Sequence, residues 1–369
     1  MKISRIARIG AIGVISAIAL AGCAANETSS PAGSDQPSAG PELSGNLIGG
    51  GATSQEVAIA AWTKAFQGAN SGVTVDYDPQ GSGAGRESFA AGGFAFAGSD
   101  RAFKTDELSS MTFKTCAADS PIIEIPAYIS PIAIIFNLDG VDKLNLDADT
   151  LAGIFAGTIT NWNDAKIAAT NEGVKLPDLA INPVHRADKS GTTGNFTDYL
   201  SAAAGSVWTH GSVEEWPVQS GEAAQGTSGV VQAVEGGKGT IGYADASRAG
   251  KLGTVSVKVG DKFVPYSPEA AAAIVEHSPL ETRDGKGDLA VALDRTSTKD
   301  GVYPVVLVSY LIGCETYADP AQAALVKGFF NEAISPEGQK AAAEAAGSAP
   351  ISDSIRTKAQ AAIDLIVTK

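Results

Sequence analysis

An α/β fold in two domains is what this sequence predicts, from three features. Short apolar runs alternate with stretches of helical period along most of the chain. Glycines followed by hydroxyl side chains recur where such a run passes into a helix. Beyond a polar N-terminal stretch there remain roughly 320 residues, more than a single core ordinarily organises.

The chain opens with Met1, Lys2, Arg5 and Arg8, then the apolar run Ile9 to Leu20, then Ala21-Gly22-Cys23. A basic start, a short apolar stretch and small residues before a cysteine predict a secretory signal peptide over residues 1–22. The run falls short of the roughly 18 to 20 residues a membrane span needs. Leu20-Ala21-Gly22-Cys23 resembles the lipobox of bacterial lipoproteins, which implies lipidation (palmitate) at Cys23 as first residue of the mature chain; an ordinary cleaved signal is the alternative. Residues 23–45, rich in Ser, Pro, Gly and Ala, read as a flexible tether.

The folded body is expected from Asn46. Asn46-Leu47-Ile48 reads as a strand, and Gly49-Gly50-Gly51-Ala52-Thr53-Ser54 leads into a helix with Val57, Ala58, Ala61, Trp62, Ala65 and Phe66 on one face. Val73 to Tyr77 alternates as a strand and enters Gly81-Ser82-Gly83-Ala84-Gly85 and a helix carrying Phe89. Phe94 to Gly98 is a short buried strand that delivers Ser99 and Asp100 to its C-terminal end, the edge where ligands gather in open α/β sheets. Ile122 to Tyr128 and Ile132 to Asn137 are β-branched runs separated by Ser130-Pro131, a crossover into a second domain. Leu151, Ile154 and Phe155 mark a short helix, and a turn anchored by Trp162 follows. Later come a strand over 179–184, a helix around Phe196, Tyr199 and Leu200, a helix with Val230, Val231 and Val234, and a strand over 239–243. The strand Pro304 to Leu311 and one long Ala-rich helix over 321–345 complete the pattern. Pairing is expected to be mostly parallel.

The net charge is −14. The signal holds three cations, Lys2, Arg5 and Arg8, and no acid, so the processed chain stands at −17. Such a charge argues against nucleic acid or anionic lipid as partner. An anion site would have to work through local donors. Cys116 and Cys314, an even pair in an exported chain, are expected to form a disulfide bond rather than remain two buried thiols.

The most informative stretch is His185-Arg186-Ala187-Asp188-Lys189-Ser190-Gly191-Thr192-Thr193 at a strand-to-helix junction. Free backbone N–H groups and a positive dipole end make such a junction fit for an anion. Ser190 and Thr192 add hydroxyl donors, Gly191 permits close approach, and Arg186 offers a planar fork for a tetrahedral oxyanion. In an extended segment Arg186 and Asp188 share a face, so Asp188 is read as the brace of Arg186. Read alone, Ser190 and Thr192 also suit plain helix caps.

Thr53-Ser54, Gly81-Ser82-Gly83, Ser99-Asp100 and Arg186 to Thr192 in this order closely resemble the phosphate-binding proteins that feed phosphate-specific ABC importers. Ile154 to Asp164, Gly239 to Tyr243 and Ala349-Pro350-Ile351 match as well. The resemblance implies a two-lobed periplasmic-binding-protein fold, type II-like, with two hinge crossings and a ligand cleft between the lobes. Lobe 1 would comprise 46–128 and 298–369, and lobe 2 residues 129–297. Carried over by position, Thr53 supplies hydroxyl and backbone donors, Ser54 a backbone N–H, Ser82 its hydroxyl, Asp100 an acceptor, Arg186 its guanidinium, and Ser190, Gly191 and Thr192 hydroxyl and N–H donors. Three departures stand out: Ser54 where an aromatic is common, Gln55-Glu56 in place of a proline-containing stretch, and, in Gly81-Ser82-Gly83-Ala84-Gly85, a glycine where a second serine is frequent, which implies one donor fewer. The implied function is high-affinity phosphate binding and phosphate transport at the extracytoplasmic face of a bacterial cell membrane. The expected protein is a lipid-anchored monomer handing inorganic phosphate to permease subunits, without cofactor.

Asp100 carries the selectivity. Phosphate near neutral pH retains a proton to give a carboxylate, whereas sulfate would press bare oxygens against it in a desolvated cleft, a mismatch of at least roughly 1 to 3 kcal/mol. A receptor for sulfate or molybdate is the first alternative, a phosphatase the second, and a surface adhesin the third. Enzymatic phosphate chemistry lacks support, because His185, His210 and His277 show no metal-ligand pairing and no Gly-x-Ser-x-Gly elbow occurs.

Overall fold

Three consecutive glycines decide how the first strand packs. A Cβ on Gly49 would lie 2.2 Å from the Phe96 ring, and Gly51 (φ +135°) would meet the Gly98 carbonyl at 2.1 Å, so only glycine lets this backbone press so closely on its neighbour. The computed structural model describes residues 43–368; the predicted signal peptide and Cys23 lie outside them. The first strand, β1 (Ser44–Gly51), begins two residues before Asn46, and Ser44 and Gly45, expected in the tether, pair with Gly72 and Val73.

The chain continues as α1 (Glu56–Ala69), β2 (Gly72–Asp78), α2 (Ser82–Ala91), β3 (Phe96–Ser99) and α3 (Thr105–Ser110), then β4 (Ile122–Asn137). After it come β5 (Lys143–Leu146), α4 (Ala148–Phe155), α5 (Ala165–Ala169), β6 (Asn182–Arg186), α6 (Gly191–Ala203), β7 (Glu222–Ala224), α7 (Gly226–Gly236) and β8 (Thr240–Asp245). A 3₁₀ turn (Ala246–Arg248), β9 (Gly253–Val259), β10 (Lys262–Val264) and α8 (Pro268–Glu276) follow. The chain closes with β11 (Val306–Cys314), α9 (Pro320–Ile334), α10 (Pro336–Ala346) and α11 (Asp353–Asp364). Sequence pattern does not single out α3, β5, α5, β7, β9, β10, α8 or α11.

The strands lie in the order β2-β1-β3-β11-β4-β8-β6-β7, with β9 also on β4 and both β5 and β10 on β9. The two runs expected around Ser130-Pro131 are one uninterrupted strand, β4, buried from Ile122 to Phe136. Burial on both faces is why it reads as a continuous apolar run. Its first part, through Pro131, pairs with β11; from Ile132 onward it pairs with β8. Pro131, which has no N–H to donate, therefore marks where the strand changes partners. One strand is shared by two sheet halves, the strand skeleton of the two-lobed fold.

Pairing departs from the mostly parallel expectation. The flanks are parallel (β1 with β2 and β3; β6 with β7 and β8), but β11 with β3 and β4, and β4 with β8 and β9, are antiparallel. A strand that crosses between halves and one that returns must run in opposite directions. The long C-terminal helix is also two: Ser335 is extended (φ −60°, ψ 154°), caps the Gly338 N–H, and hands over to Pro336 at the first turn of α10. A proline restrains the residue before it from helical geometry.

Cys116 and Cys314 form a disulfide with Cα atoms 5.4 Å apart, tying the approach to β4 to the end of β11. Trp62, Phe89, Phe96, Phe329 and Phe330 fill the core against β1 and β3, and Phe136, Phe155, Trp162, Phe196 and Tyr243 fill that of the other half. Among the described residues no helix is long and apolar enough to cross a membrane.

Candidate functional site

The parallel arms place five strand-to-helix or strand-end turns at carboxyl ends of strands: those after β1, β2 and β3 in one half, and after β6 and β7 in the other. They meet across the cleft. Thr53 Oγ1 lies 2.9 Å from Thr227 Oγ1 and accepts from the Thr227 N–H at 3.1 Å. Gly83 N–H donates to the Lys189 carbonyl at 3.0 Å. The site is thus closed, with side chains from both halves in direct contact.

Asp100 is its centre, only 2 % exposed. Ser54 Oγ (2.5 Å) and Ser309 Oγ (2.8 Å) donate to its Oδ1, and Thr192 Oγ1 donates to its Oδ2 at 2.9 Å. Its backbone N–H donates to Ser82 Oγ at 3.1 Å, and Asn195 Nδ2 reaches its carbonyl at 2.6 Å. Burial pushes the carboxyl above its ordinary pKa, while the three hydroxyls and then the Arg186 charge pull the other way. A Cβ on Gly191 would stand 2.5 Å from Ser82 Oγ and 2.7 Å from Asp100 Cβ, so this glycine lets α6 approach the opposite wall.

Arg186 ends β6, buried, and both oxygens of Asp188 accept from its Nε and Nη2. This bidentate pair fixes the guanidinium plane and leaves the Nη1 edge outside it. Asp188 Oδ1 also accepts the Gly226 N–H at 3.1 Å, which links the turn after β7 to the same brace. The Tyr243 hydroxyl accepts from the Arg186 N–H at 3.3 Å and bonds Thr193 Oγ1 at 2.7 Å. Ser190 is the N-cap of α6; its oxygen accepts from the Thr193 N–H at 3.2 Å, which leaves its hydroxyl proton to donate. Its neighbour His185 stacks on Trp216 with ring centroids 5.0 Å apart.

Beside Asp100 a cleft of about 950 Å³ opens, lined by Arg101, Lys104, Asn195, Glu214 and Arg283 among others. Glu214 Oε2 accepts from Arg86 at 2.6 Å and from Arg101 at 2.8 Å, a carboxylate of one half held by two guanidiniums of the other. Burial raises the Glu214 pKa, but the two arginines outweigh it and the carboxyl sits below its ordinary value. Among the described residues no group of three His, Cys, Asp or Glu is arranged to hold a metal.

The structure brings together Thr53, Ser54, Ser82, Asp100, Gly191 and Thr192 through these contacts, with Arg186, Asp188 and Ser190 on the adjoining turn. It also recruits Thr227, Ser309, Asn195 and Glu214, which are not among the residues expected from sequence, and Gln55, which stands out there only as a departure from the resembled pattern. Two of these carry a readable signal. Gly226-Thr227-Ser228 repeats the glycine-then-hydroxyl junction, and Ser309 is a small hydroxyl residue beside Tyr310 in an otherwise apolar strand. Ser54, expected to act through its backbone, donates its side-chain hydroxyl to Asp100.

Residues 34–337 match the model of the PBP superfamily domain. The chain is 33% identical to the phosphate-binding protein PstS 2 of Mycobacterium tuberculosis over 99% of its own length and 100% of that protein. It is 29% identical to the phosphate-binding protein PstS of Xylella fastidiosa, over 89% and 90%. Among solved structures it is similar to a high-affinity periplasmic phosphate-binding protein bound with phosphate (TM-score 0.68, 22% identity, 86% of this chain and 93% of that one). It also resembles a putative phosphate ABC transporter substrate-binding protein with bound phosphate from Clostridium perfringens (TM-score 0.59, 20% identity, 82% and 98%). With its crossover strand, facing turns and full-length similarity, the chain belongs to the PBP superfamily and, within it, to the family of PstS phosphate-binding proteins.

Proposed function

We propose that this protein is the phosphate receptor of an ABC importer, taking up inorganic phosphate outside the cytoplasm and presenting it to permease subunits. The observation that carries this reading is the Asp100 carboxylate, buried between Ser54, Ser309 and Thr192 in a wall otherwise made of donors and facing the Arg186 turn. An acceptor in such a place suits an oxyanion that still bears a proton, and disfavours sulfate and molybdate.

Thr53, Ser54, Ser82, Arg186, Ser190, Gly191 and Thr192 would donate to the phosphate oxygens, Asp100 would accept its proton, and Asp188 would hold Arg186 in plane. Lobe 1 is taken as 46–128 with 298–369 and lobe 2 as 129–297. Asp288, bridged to Glu124 in the first half of β4, argues for a return to lobe 1 ahead of residue 298. The protein acts without chemical turnover and without cofactor, as a monomer held at the membrane by a lipid on Cys23. Ligand contacts from both lobes favour the closed form, which is the signal a permease reads.

Calorimetry on the compact unit from residue 42 onward, with phosphate, sulfate and molybdate, tests this. Tight binding of phosphate alone is expected. Arg186→Ala should weaken phosphate by roughly a hundredfold or more, and Asp100→Asn should chiefly erode the preference over sulfate. Sulfate binding as tight as phosphate in the unaltered protein would overturn the assignment.

A further inference from the structure

Asp100 is the one acceptor among donors, so what holds it ionised decides what the site accepts. Its Oδ1 takes two hydroxyl donors, Ser54 at 2.5 Å and Ser309 at 2.8 Å. The pairing of β11 with β4 is irregular beside Ser309, where Ser309 faces Tyr128 and Tyr310 faces Pro126 with Ala127 of β4 as the extra residue, and Tyr310 lies opposite Ser99 on β3. Such irregularities re-aim side chains beside sites. The Ser309 hydroxyl is itself oriented. Gln55 Nε2 donates to Ser309 Oγ at 2.7 Å and approaches the Tyr310 carbonyl at 3.4 Å. A carbonyl can only accept, so the amide turns its NH₂ this way and Ser309 must spend its own proton on Asp100. Gln55 heads α1 but makes no side-chain cap there; its side chain is fully buried and serves this chain of bonds instead.

We infer that Ser54 and Ser309, the latter oriented by Gln55, are positioning residues that set the ligand specificity of Asp100. They occupy Oδ1, hold the carboxylate ionised, and leave acceptor capacity on Oδ2, beside Thr192, for the proton of the ligand. This rests on the phosphate reading of the site.

The physical consequence has a definite sign. Hydrogen bonds to a carboxylate favour its charged form, and burial opposes them. The other charged or titratable groups around Asp100 are Arg186 at the end of β6, Tyr77 at the end of β2, and the Arg86–Glu214–Arg101 group, whose Arg86 bonds Ser99. Removing a serine donor lets Asp100 take up a proton at higher pH. A protonated Asp100 donates instead of accepting, and then suits a fully ionised oxyanion.

Sulfate, which stays unprotonated throughout the range, reads this directly. Sulfate and phosphate binding would be measured by calorimetry from pH ~4.5 to ~8 on the unaltered protein and on Ser54→Ala, Ser309→Ala and Ser54→Thr. The two alanine variants should begin to bind sulfate at a pH roughly one unit higher than the unaltered protein does. Their loss of phosphate affinity at the alkaline end should stay within about tenfold. Ser54→Thr, which keeps a hydroxyl for Asp100, should restore the onset of sulfate binding to the pH of the unaltered protein. Should Ser309→Ala, set in a core strand, fail to fold, Ser54→Ala in its turn carries the test. Sulfate profiles in the alanine variants that coincide with the unaltered one, while phosphate still binds, would overturn the inference. Absence of phosphate binding in the unaltered protein would instead overturn the functional reading beneath it.

Discussion

Gly191 is one of the tight points of the cleft. It sits at the start of α6, where an alanine would ordinarily favour the helix, yet a Cβ there would stand 2.5 Å from Ser82 Oγ and 2.7 Å from Asp100 Cβ. Both groups belong to the opposite half, so the conflict arises only on closure. Gly191→Ala is therefore expected to leave the melting temperature of the ligand-free protein within a few degrees. It should weaken phosphate binding roughly tenfold or more, since overpacking of this size costs about 1–3 kcal/mol. Equal affinity by titration would show that the halves approach less closely than described. At the same scale Asp188 does more than pair with Arg186, because its Oδ1 also receives the Gly226 N–H; one carboxylate aligns two turns of the same half.

At the scale of elements, the contact of Glu214 with α2 and with the segment after β3 is a clasp between halves. Arg86 and Arg101 both donate to it, and Arg101 is in turn shared with Glu107. Leaving one partner of a buried ion pair unpaired is costly. Glu214→Gln should therefore lower apparent phosphate affinity by roughly tenfold and reduce its dependence on salt, both measurable by titration in low and high salt. An unchanged affinity would mean that the clasp adds nothing to closure. The disulfide acts elsewhere. It ties the approach to β4 to the end of β11, at the edge of the sheet half away from β8. Replacing both Cys116 and Cys314 by serine should cost about 2–4 kcal/mol of stability and leave phosphate affinity nearly unchanged, checked by denaturant melts beside calorimetry.

For the molecule as a whole, the junction of the two sheet halves carries a buried acid. Asp245 ends β8 opposite Ile132, where β4 changes partners, and the Tyr128 hydroxyl lies 3.0 Å from its Oδ1. Burial lifts its carboxyl to about 6, against hydrogen bonds from Ser247, Ser130 and Tyr128 that hold it down. The folded protein therefore binds this proton more tightly than the unfolded chain. The acid's unfavourable contribution sets in as pH rises from about 4 to about 6 and is fully expressed above that, at about 3 kcal/mol. In Asp245→Asn that dependence should vanish: chemical denaturation at pH ~4.5 and ~7 should show a smaller fall in stability with rising pH than in the unaltered protein. Identical slopes would place the titration on another group. Asp245, Tyr128 and Ser130 thus make the partner-switching point of the shared strand polar.

By itself the sequence determined what is local. The alternation of strands and helices, the glycine-then-hydroxyl junctions at Thr53, Ser82 and Thr192, the acid after β3 and the Arg186–Asp188 brace all follow from period, turn chemistry and the alternation of faces in a strand. The break at Ser335-Pro336, missed by the expectation of one long helix, also carries a local signal, since a capping serine before a proline starts a helix. Only the tertiary structure decided that the two runs around Pro131 are one strand shared by both halves, with antiparallel neighbours at its centre. It alone brought Ser309 to Asp100 across 209 residues, Thr227 to Thr53 across 174, and Glu214 to Arg86 across 128. The reason is physical: propensity and capping act within a few residues. Which hydroxyl fills the last lone pair of a buried acid depends on how two sheet halves, joined through one strand, fold against each other.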